Sequence, residues 1–294
     1  MLDWQAVQPV AVELGPLSLH WYSLMLLAGT LAGLWLSRML AGHRGLNPDL
    51  VTDVVLWGGA AALVGARLWY VAFKWEDVYR HAPLEALMPW RGGLAIHGGI
   101  LAGTLACWFM ARRQHRHPLH LLDVVAPGLL LGQAIGRWGN WFNQEAYGLP
   151  ALAPVRWPAW LHDATGYLPW GIAIEGHRRL PPFDDMLAWP DTTRFHPTFL
   201  YESFWDLAGL LGLMHLAFRH RPAPGTVTGL YLLIWSSGRF WIEGLRTDAL
   251  MFSLPWGPVR AAQVACVLAA LAGLWLVVRS FTPRPAHALE ENPA

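Results

Sequence analysis

Residues 121–143 read LLDVVAPGLLLGQAIGRWGNWFN, and this stretch decides the fold class. At ~1.5 Å per residue, a helix of this length crosses the ~30 Å hydrocarbon layer of a bilayer. Its charges are Asp123 near one end and Arg137 near the other. A guanidinium at membrane depth costs at least ~2.5–3.5 kcal/mol, so Arg137 calls for a compensating partner or ligand. Working outward, six further runs have the same character: 18–40, 50–73, 93–111, 198–218, 225–246 and 259–278. The composition agrees, with 54% hydrophobic and only 14% charged residues in 294. A water-facing surface usually needs roughly 25% charged residues. The 19 Trp and the long apolar runs exclude a disordered or fibrous chain. A net charge of +1 argues against a dedicated nucleic-acid binder. Cys107 and Cys266 both sit in apolar runs, so neither a disulfide framework nor a cysteine metal site is expected. The reading is an all-α polytopic membrane protein of about seven transmembrane helices, one domain over residues 1–294.

The first run is not a cleavable signal, because residues 1–17 contain Asp3 and Glu13 and no Lys or Arg. Seven spans put the termini on opposite sides. With the N-terminus outside, the inner loops and the 280–294 tail carry Arg38, Arg44, Arg112, Arg113, Arg116, Arg219, Arg221, Arg279 and Arg284. Only Asp49, Glu290 and Glu291 oppose them there. The outer segments carry Lys74, Arg80, Arg91, Arg156, Arg178, Arg179 and Arg194, diluted by acids in longer loops. The positive-inside bias therefore predicts N-terminus outside and C-terminus cytoplasmic. Residues 149–195, rich in Pro and Trp and carrying Asp163, Glu175, Asp184 and Asp185, become a small extracytoplasmic head or lid. The outer segment 74–92 holds Trp75, Tyr79 and Trp90, which suits a membrane interface. Gly29 with Gly33, and Gly128, Gly132 and Gly136, are small residues at i,i+4 that let helices approach closely. No repeat of fixed period is visible.

Four constellations carry candidate chemistry. In Gly136–Glu145, Arg137, Asn140 and Gln144 fall at i, i+3 and i+7 on one helical face. An arginine beside amides in an apolar setting suits a phosphate and its ester oxygens, unless Arg137 simply pairs with Glu145 or Glu243. In Gly238–Asp248, Arg239, Glu243 and Arg246 form a second stripe, either an anion site or an internal ion-pair ladder. Arg260, at a span edge, is expected to snorkel. His97 lies between Gly92-Gly93 and Gly98-Gly99, either as a hydrogen-bonded core residue or as a base that accepts a proton from a thiol or hydroxyl. Glu202 and Asp206, one turn apart, can pair with Arg67, Arg137 or Arg239. The His115–His120 cluster lies in an inner basic loop and is not read as a metal site. No Gly-rich phosphate loop follows a strand, and no Gly-x-Ser-x-Gly is present.

These stretches, together with His20-Trp21-Tyr22 and His196–Glu202, make the chain resemble the bacterial prolipoprotein diacylglyceryl transferases over nearly its whole length. The resemblance implies a multi-pass enzyme of the bacterial plasma (inner) membrane. Its substrates would be phosphatidylglycerol and the lipobox cysteine of prolipoprotein signal peptides, the products a thioether and glycerol 1-phosphate. It implies Arg137 and Arg239 as essential arginines at the phospholipid headgroup, with His97 and Tyr22 as site residues. Asn140, Asn143, Glu145, Gly148, Glu243 and Arg246 would support them, and Glu202 is placed with the substrate-binding set. No cofactor or metal is expected. Trp235 stands where many members carry Tyr, Ile96 where Phe is frequent, and the 149–195 segment is longer and richer in Trp and Pro. Two other readings remain: an anion or lipid transporter lined by the arginines, and a non-catalytic lipid-binding membrane scaffold.

Overall fold

The computed structural model describes residues 8–15, 17–88, 92–114, 117–152, 166–255 and 257–281. Asp3, Trp90, Arg91, His115, Arg116, Arg156, Asp163, Arg284, Glu290 and Glu291, residues 282–294 of the tail and the side chain of Ile96 lie outside that set. The described residues form seven long helices: α1 (Trp21–His43), α2 (Pro48–Phe73), α3 (Ile96–Arg113), α4 (Pro118–Asn143), α5 (Thr198–Arg219), α6 (Thr226–Glu243) and α7 (Ala261–Phe281). Four of them, α1, α2, α4 and α7, are long and apolar enough to cross a membrane. The protein is therefore a mostly helical membrane protein. Helices α5 and α6 carry Glu202, Asp206, Arg239 and Glu243, charges that dilute their apolar character.

Two short hairpins qualify the all-α expectation. Strands β1 (Val10–Leu14) and β2 (Leu17–His20) run directly into α1, and β3 (Met251–Leu254) and β4 (Gly257–Arg260) run into α7. The apolar runs beginning at 18 and 259 thus start as strands. Periodicity alone does not separate a short apolar strand from a helix start. Left-handed Gly15 (φ 62°) and Gly257 (φ 132°) allow the two turns.

The chain divides into two compact units, residues 34–126 and residues 1–33 with 127–294. In the first, Asn47 caps α2 by accepting from the Asp49 N–H (2.9 Å), with Pro48 at the first helical position. Helices α2 and α3 touch at Gly65 and Gly98, where a Cβ on Gly65 would lie 2.6 Å from the Gly98 carbonyl oxygen. Arg112 and Arg113 lie over Trp108 and Phe109 at 5.4 and 5.2 Å. Buried Arg67 donates to the carbonyls of Glu85, Ala86, Met88, Gly92 and Gly93. It thereby folds the 85–93 loop back onto α2. Gly92 and Gly93 are left-handed (φ 85° and 78°), and a Cβ on Gly93 would meet Arg67 Nη1 at 2.9 Å. The Ala95 N–H then bonds the Ala66 carbonyl (3.0 Å), and α3 begins.

In the second unit, α1 and α4 approach through Gly29 and Gly132, and through Gly33 and Gly128. Helices α6 and α7 approach through Gly229 and Gly273, where a Cβ on either would lie 2.7 Å from the other's carbonyl oxygen. The described part of 149–195 packs around a hydrophobic core of Tyr147, Ile172, Ile174, Phe183, Phe195 and Phe199. Trp138 and Trp141 of α4 pack against that core, so it continues into the helix ends.

Candidate active site

Glu202, on the second turn of α5, is 4% exposed and bridges two guanidiniums. Its Oε2 lies 2.6 Å from Arg137 Nε of α4, and its Oε1 lies 2.6 Å from Arg239 Nη1 of α6. The series continues from α6 into the turn after it, so Arg246 does not share one helix with Arg239 and Glu243: Arg239 Nη2 is 2.7 Å from Glu243 Oε2, which is 3.7 Å from Arg246 Nε. Arg246 closes it with a two-pronged pair to Asp248, at 2.9 and 2.6 Å. Cations and carboxylates thus alternate, which is how charge survives in an apolar surround. Arg137 pairs with Glu202 rather than with Glu145 or Glu243, and the carboxylate Glu202 serves Arg137 and Arg239 rather than Arg67.

Close approach of α5 and α6 makes the bridge possible. A Cβ on Gly238 would collide with the Trp205 indole, whose Nε1 donates to the Ile234 carbonyl (2.7 Å). Arg137, Glu202, Trp205, Asp206, Trp235, Gly238, Arg239 and Ile242 line a slot with a free volume of about 10 Å³. That is room for about one water molecule. Among the described residues, the two Nη groups of Arg137 have no hydrogen-bond partner, because its pairing uses Nε. A planar donor pair of this kind suits two oxygens of one phosphate.

The amides form a separate group at the end of α4. Asn140 and Asn143 both donate from Nδ2 to Glu145 Oε1, at 2.9 and 3.4 Å. Gln144 does not share the face of Arg137 and Asn140. Helix α4 ends at Asn143, Gln144 is left-handed (φ 54°), and its Oε1 accepts from the Glu175 N–H at 2.8 Å. The Arg178 Nη1 group donates to the Asn143 carbonyl (2.9 Å), and the Thr198 hydroxyl donates to the Ala146 carbonyl. The 149–195 segment and α5 therefore hold the turn that presents Glu145.

Gly148 sits where three segments meet. Its N–H bonds the His196 carbonyl (2.9 Å), and a Cβ would lie 2.8 Å from His196 Cβ and 3.0 Å from Thr198 Cγ2. Residues 147–149 pair with 245–247 through Leu149 N–H to Leu245 O (2.7 Å) and Thr247 N–H to Tyr147 O (3.2 Å). Tyr22, on the first turn of α1, packs its ring over Gly139, one residue before Asn140. His97 lies on the first turn of α3, exposed and without a hydrogen-bond partner among the described residues, so it is not a core histidine. It belongs to the other compact unit.

Three contributors were not legible as such. Arg260 donates to the carbonyls of Glu243 and Arg246 instead of snorkelling. Trp205 was an ordinary aromatic in an apolar run, with no spacing signal to mark it. His196 shares a hydrogen bond of 2.9 Å with the Tyr201 hydroxyl, which also accepts from Trp170 Nε1 at 2.9 Å. Burial holds His196 below its ordinary value near 6.5.

Comparison with known proteins places these residues in context. A family model described as prolipoprotein diacylglyceryl transferase matches residues 9–279. Proteins named phosphatidylglycerol–prolipoprotein diacylglyceryl transferase are similar to the chain over most of its length. The one from Gloeobacter violaceus is 42% identical, covering 92% of this chain and 93% of its own. The one from Nostoc is 44% identical, covering 92% and 90%. A relative from Staphylococcus carnosus is 35% identical, covering 95% and 93%.

Proposed function

The chain belongs to the prolipoprotein diacylglyceryl transferase family, and from that premise we propose that it transfers the diacylglyceryl group of phosphatidylglycerol to the lipobox cysteine thiol of prolipoproteins. The observation that carries the site assignment is the bridge of Arg137 and Arg239 by Glu202, with both Nη groups of Arg137 left for an anion. The slot holds about one water, so a phosphodiester enters by parting Glu202 from a guanidinium.

In the reaction the sulfur attacks the glyceryl CH₂ bonded to the phosphate oxygen. A C–S bond forms, the C–O bond breaks, and the electron pair leaves on the phosphate of glycerol 1-phosphate. Negative charge grows on phosphate oxygens as the bond breaks, so Arg137 and Arg239 stabilise the transition state more than the ground state. Glu202, Glu243 and Arg246 hold Arg239 in place. Tyr22, Asn140, Asn143, Glu145 and Gly148 shape the substrate side of the site. The thiolate is the reactive form, and His97 is assigned as the base that takes the thiol proton. The substrate supplies the nucleophile, which leaves Cys107 and Cys266, both buried, without a chemical task.

The reading extends to seven spans in the bacterial inner membrane, with the N-terminus outside, the C-terminus cytoplasmic and residues 149–195 as an extracytoplasmic head. A membrane-impermeant maleimide should label Leu187→Cys, which is 98% exposed, from outside intact cells and should label Arg221→Cys only after lysis. The reverse pattern overturns the orientation.

The activity itself is tested with detergent-purified protein, phosphatidylglycerol and a lipobox peptide, reading diacylglyceryl on the peptide cysteine by mass spectrometry. Product from the wild type and none from Arg137→Ala or Arg239→Ala supports the assignment. Bound lipid without product from folded wild type favours a non-catalytic lipid-binding protein.

A further inference from the structure

Helix α6 ends at Glu243, and like any helix it leaves its last carbonyls without intrahelical partners. The turn that follows carries Arg246 and Asp248, the outer end of the alternating charge series. This turn is clamped from two directions. On one side residues 147–149 pair with 245–247, as described above. On the other, the Arg260 Nη1 group donates to the carbonyls of both Glu243 and Arg246, the latter at 3.3 Å. Arg260 reaches them because the β3–β4 hairpin turns the chain back. Met251 pairs with Arg260 across the hairpin, and the Ala261 N–H bonds the Leu250 carbonyl at 2.9 Å. A cation here also meets the negative end of the α6 dipole. Helix α7 adds a parallel contact in Gln263 Nε2, which donates to the Phe240 carbonyl at 3.2 Å.

From this geometry we propose that Arg260 is a positioning residue for the transferase reaction: it fixes the turn after α6 so that Arg246 and Glu243 hold Arg239 in its working orientation. It touches neither substrate nor reacting atoms and acts through the Glu243 and Arg246 backbone. The proposal rests on the transferase reading given above. It also gives the β3–β4 hairpin a task in the site.

The test is a double-mutant cycle in the phosphatidylglycerol and lipobox-peptide assay. Arg260→Met keeps the length of the side chain and removes its donors. It should lower kcat about tenfold, the scale of one hydrogen bond from a charged donor, with KM for phosphatidylglycerol within about twofold of wild type. Arg260→Lys, whose ammonium can donate to both carbonyls, should recover kcat to within about threefold. In an Arg246→Lys background there is a point charge and no planar fork to orient, so adding Arg260→Met should cost about twofold or less. A general loss of fold would lower both backgrounds equally. If Arg260→Met does not fold, Arg260→Gln replaces it in the same cycle, with a smaller loss and the same non-additivity expected.

Wild-type kcat in the folded Arg260→Met or Arg260→Gln variant overturns the proposal. So do fully multiplicative losses in the double variant. Absence of product from folded wild type would instead overturn the transferase reading, leaving the two failures distinguishable.

Discussion

The protein pairs its half-buried and its fully buried guanidiniums in two different ways. Arg137 and Arg239 are matched by carboxylate side chains, and Glu202 serves both. Arg67 and Arg179 are matched mainly by the main chain. Arg67 takes five loop carbonyls, while Arg179 donates to Ile174, Trp189 and Pro190 and lies over the Phe195 ring. A carboxylate partner can be exchanged for a phosphate by turning a side chain. A set of carbonyls can be released only by unfolding the loop that supplies them. Burial alone therefore does not mark a binding arginine; the nature of its partners does.

That distinction is best tested at its extremes. Replacing Arg137 or Arg239 with Ala should lower kcat/KM by at least about 10³-fold, since each supplies charge to the departing phosphate. The Lys variants should stay well below wild type for want of a planar fork. Thermal unfolding should change far less, because Glu202 keeps its other guanidinium. Arg179→Met should do the opposite, costing about 3 kcal/mol of stability by stranding buried carbonyls while activity per folded molecule is retained. Unfolding in detergent alongside initial rates checks both, and equal stability losses at Arg137 and Arg179 would erase the distinction.

Gly148→Ala lies between the two kinds. Forcing a Cβ against His196 and Thr198 should cost about 1–3 kcal/mol and lower activity with it, because the 147–149 and 245–247 segments move together. The smallest effect is a pH dependence. His196 has a folded pKa below its ordinary value near 6.5, so the unfolded chain binds the extra proton more readily. Its contribution to stability is complete above about pH 6.5 and is lost as pH falls through the folded value. His196→Asn should flatten the acid limb of the unfolding profile measured between pH 5 and pH 7, and an unchanged limb would remove His196 as its source.

Much of the helical scaffold was legible from apolar runs, because burial in a lipid solvent leaves a coarse signal of length and hydropathy. The runs beginning at 198 and 225 became α5 (Thr198–Arg219) and α6 (Thr226–Glu243) with small shifts at the ends. The hairpins before α1 and α7 were not legible, since four-residue apolar strands carry no period long enough to separate them from a helix start. Within the site, the pairing of Arg239 with Glu243 was readable from i,i+4 spacing along one helix, but the i,i+7 extension to Arg246 failed: α6 stops at Glu243, and Arg246 reaches Glu243 from the turn that follows. The shared face of Arg137 and Gln144 failed because α4 stops between them, where Gln144 turns left-handed to meet Glu175.

By itself the sequence determined that this is a helical membrane protein with arginines it must compensate, because the cost of charge in lipid is a property of each residue's own chemistry. It also carried the family resemblance that the comparisons bear out over residues 9–279. Which carboxylate compensates which arginine was decided only by tertiary structure. Glu202 lies 65 positions from Arg137 and 37 from Arg239 in sequence, and only the close packing of α5 on α6 at Gly238 brings Glu202 and Arg239 to 2.6 Å. Arg260 joins the site by the same logic, through a hairpin turn that no pattern in its own neighbourhood announces.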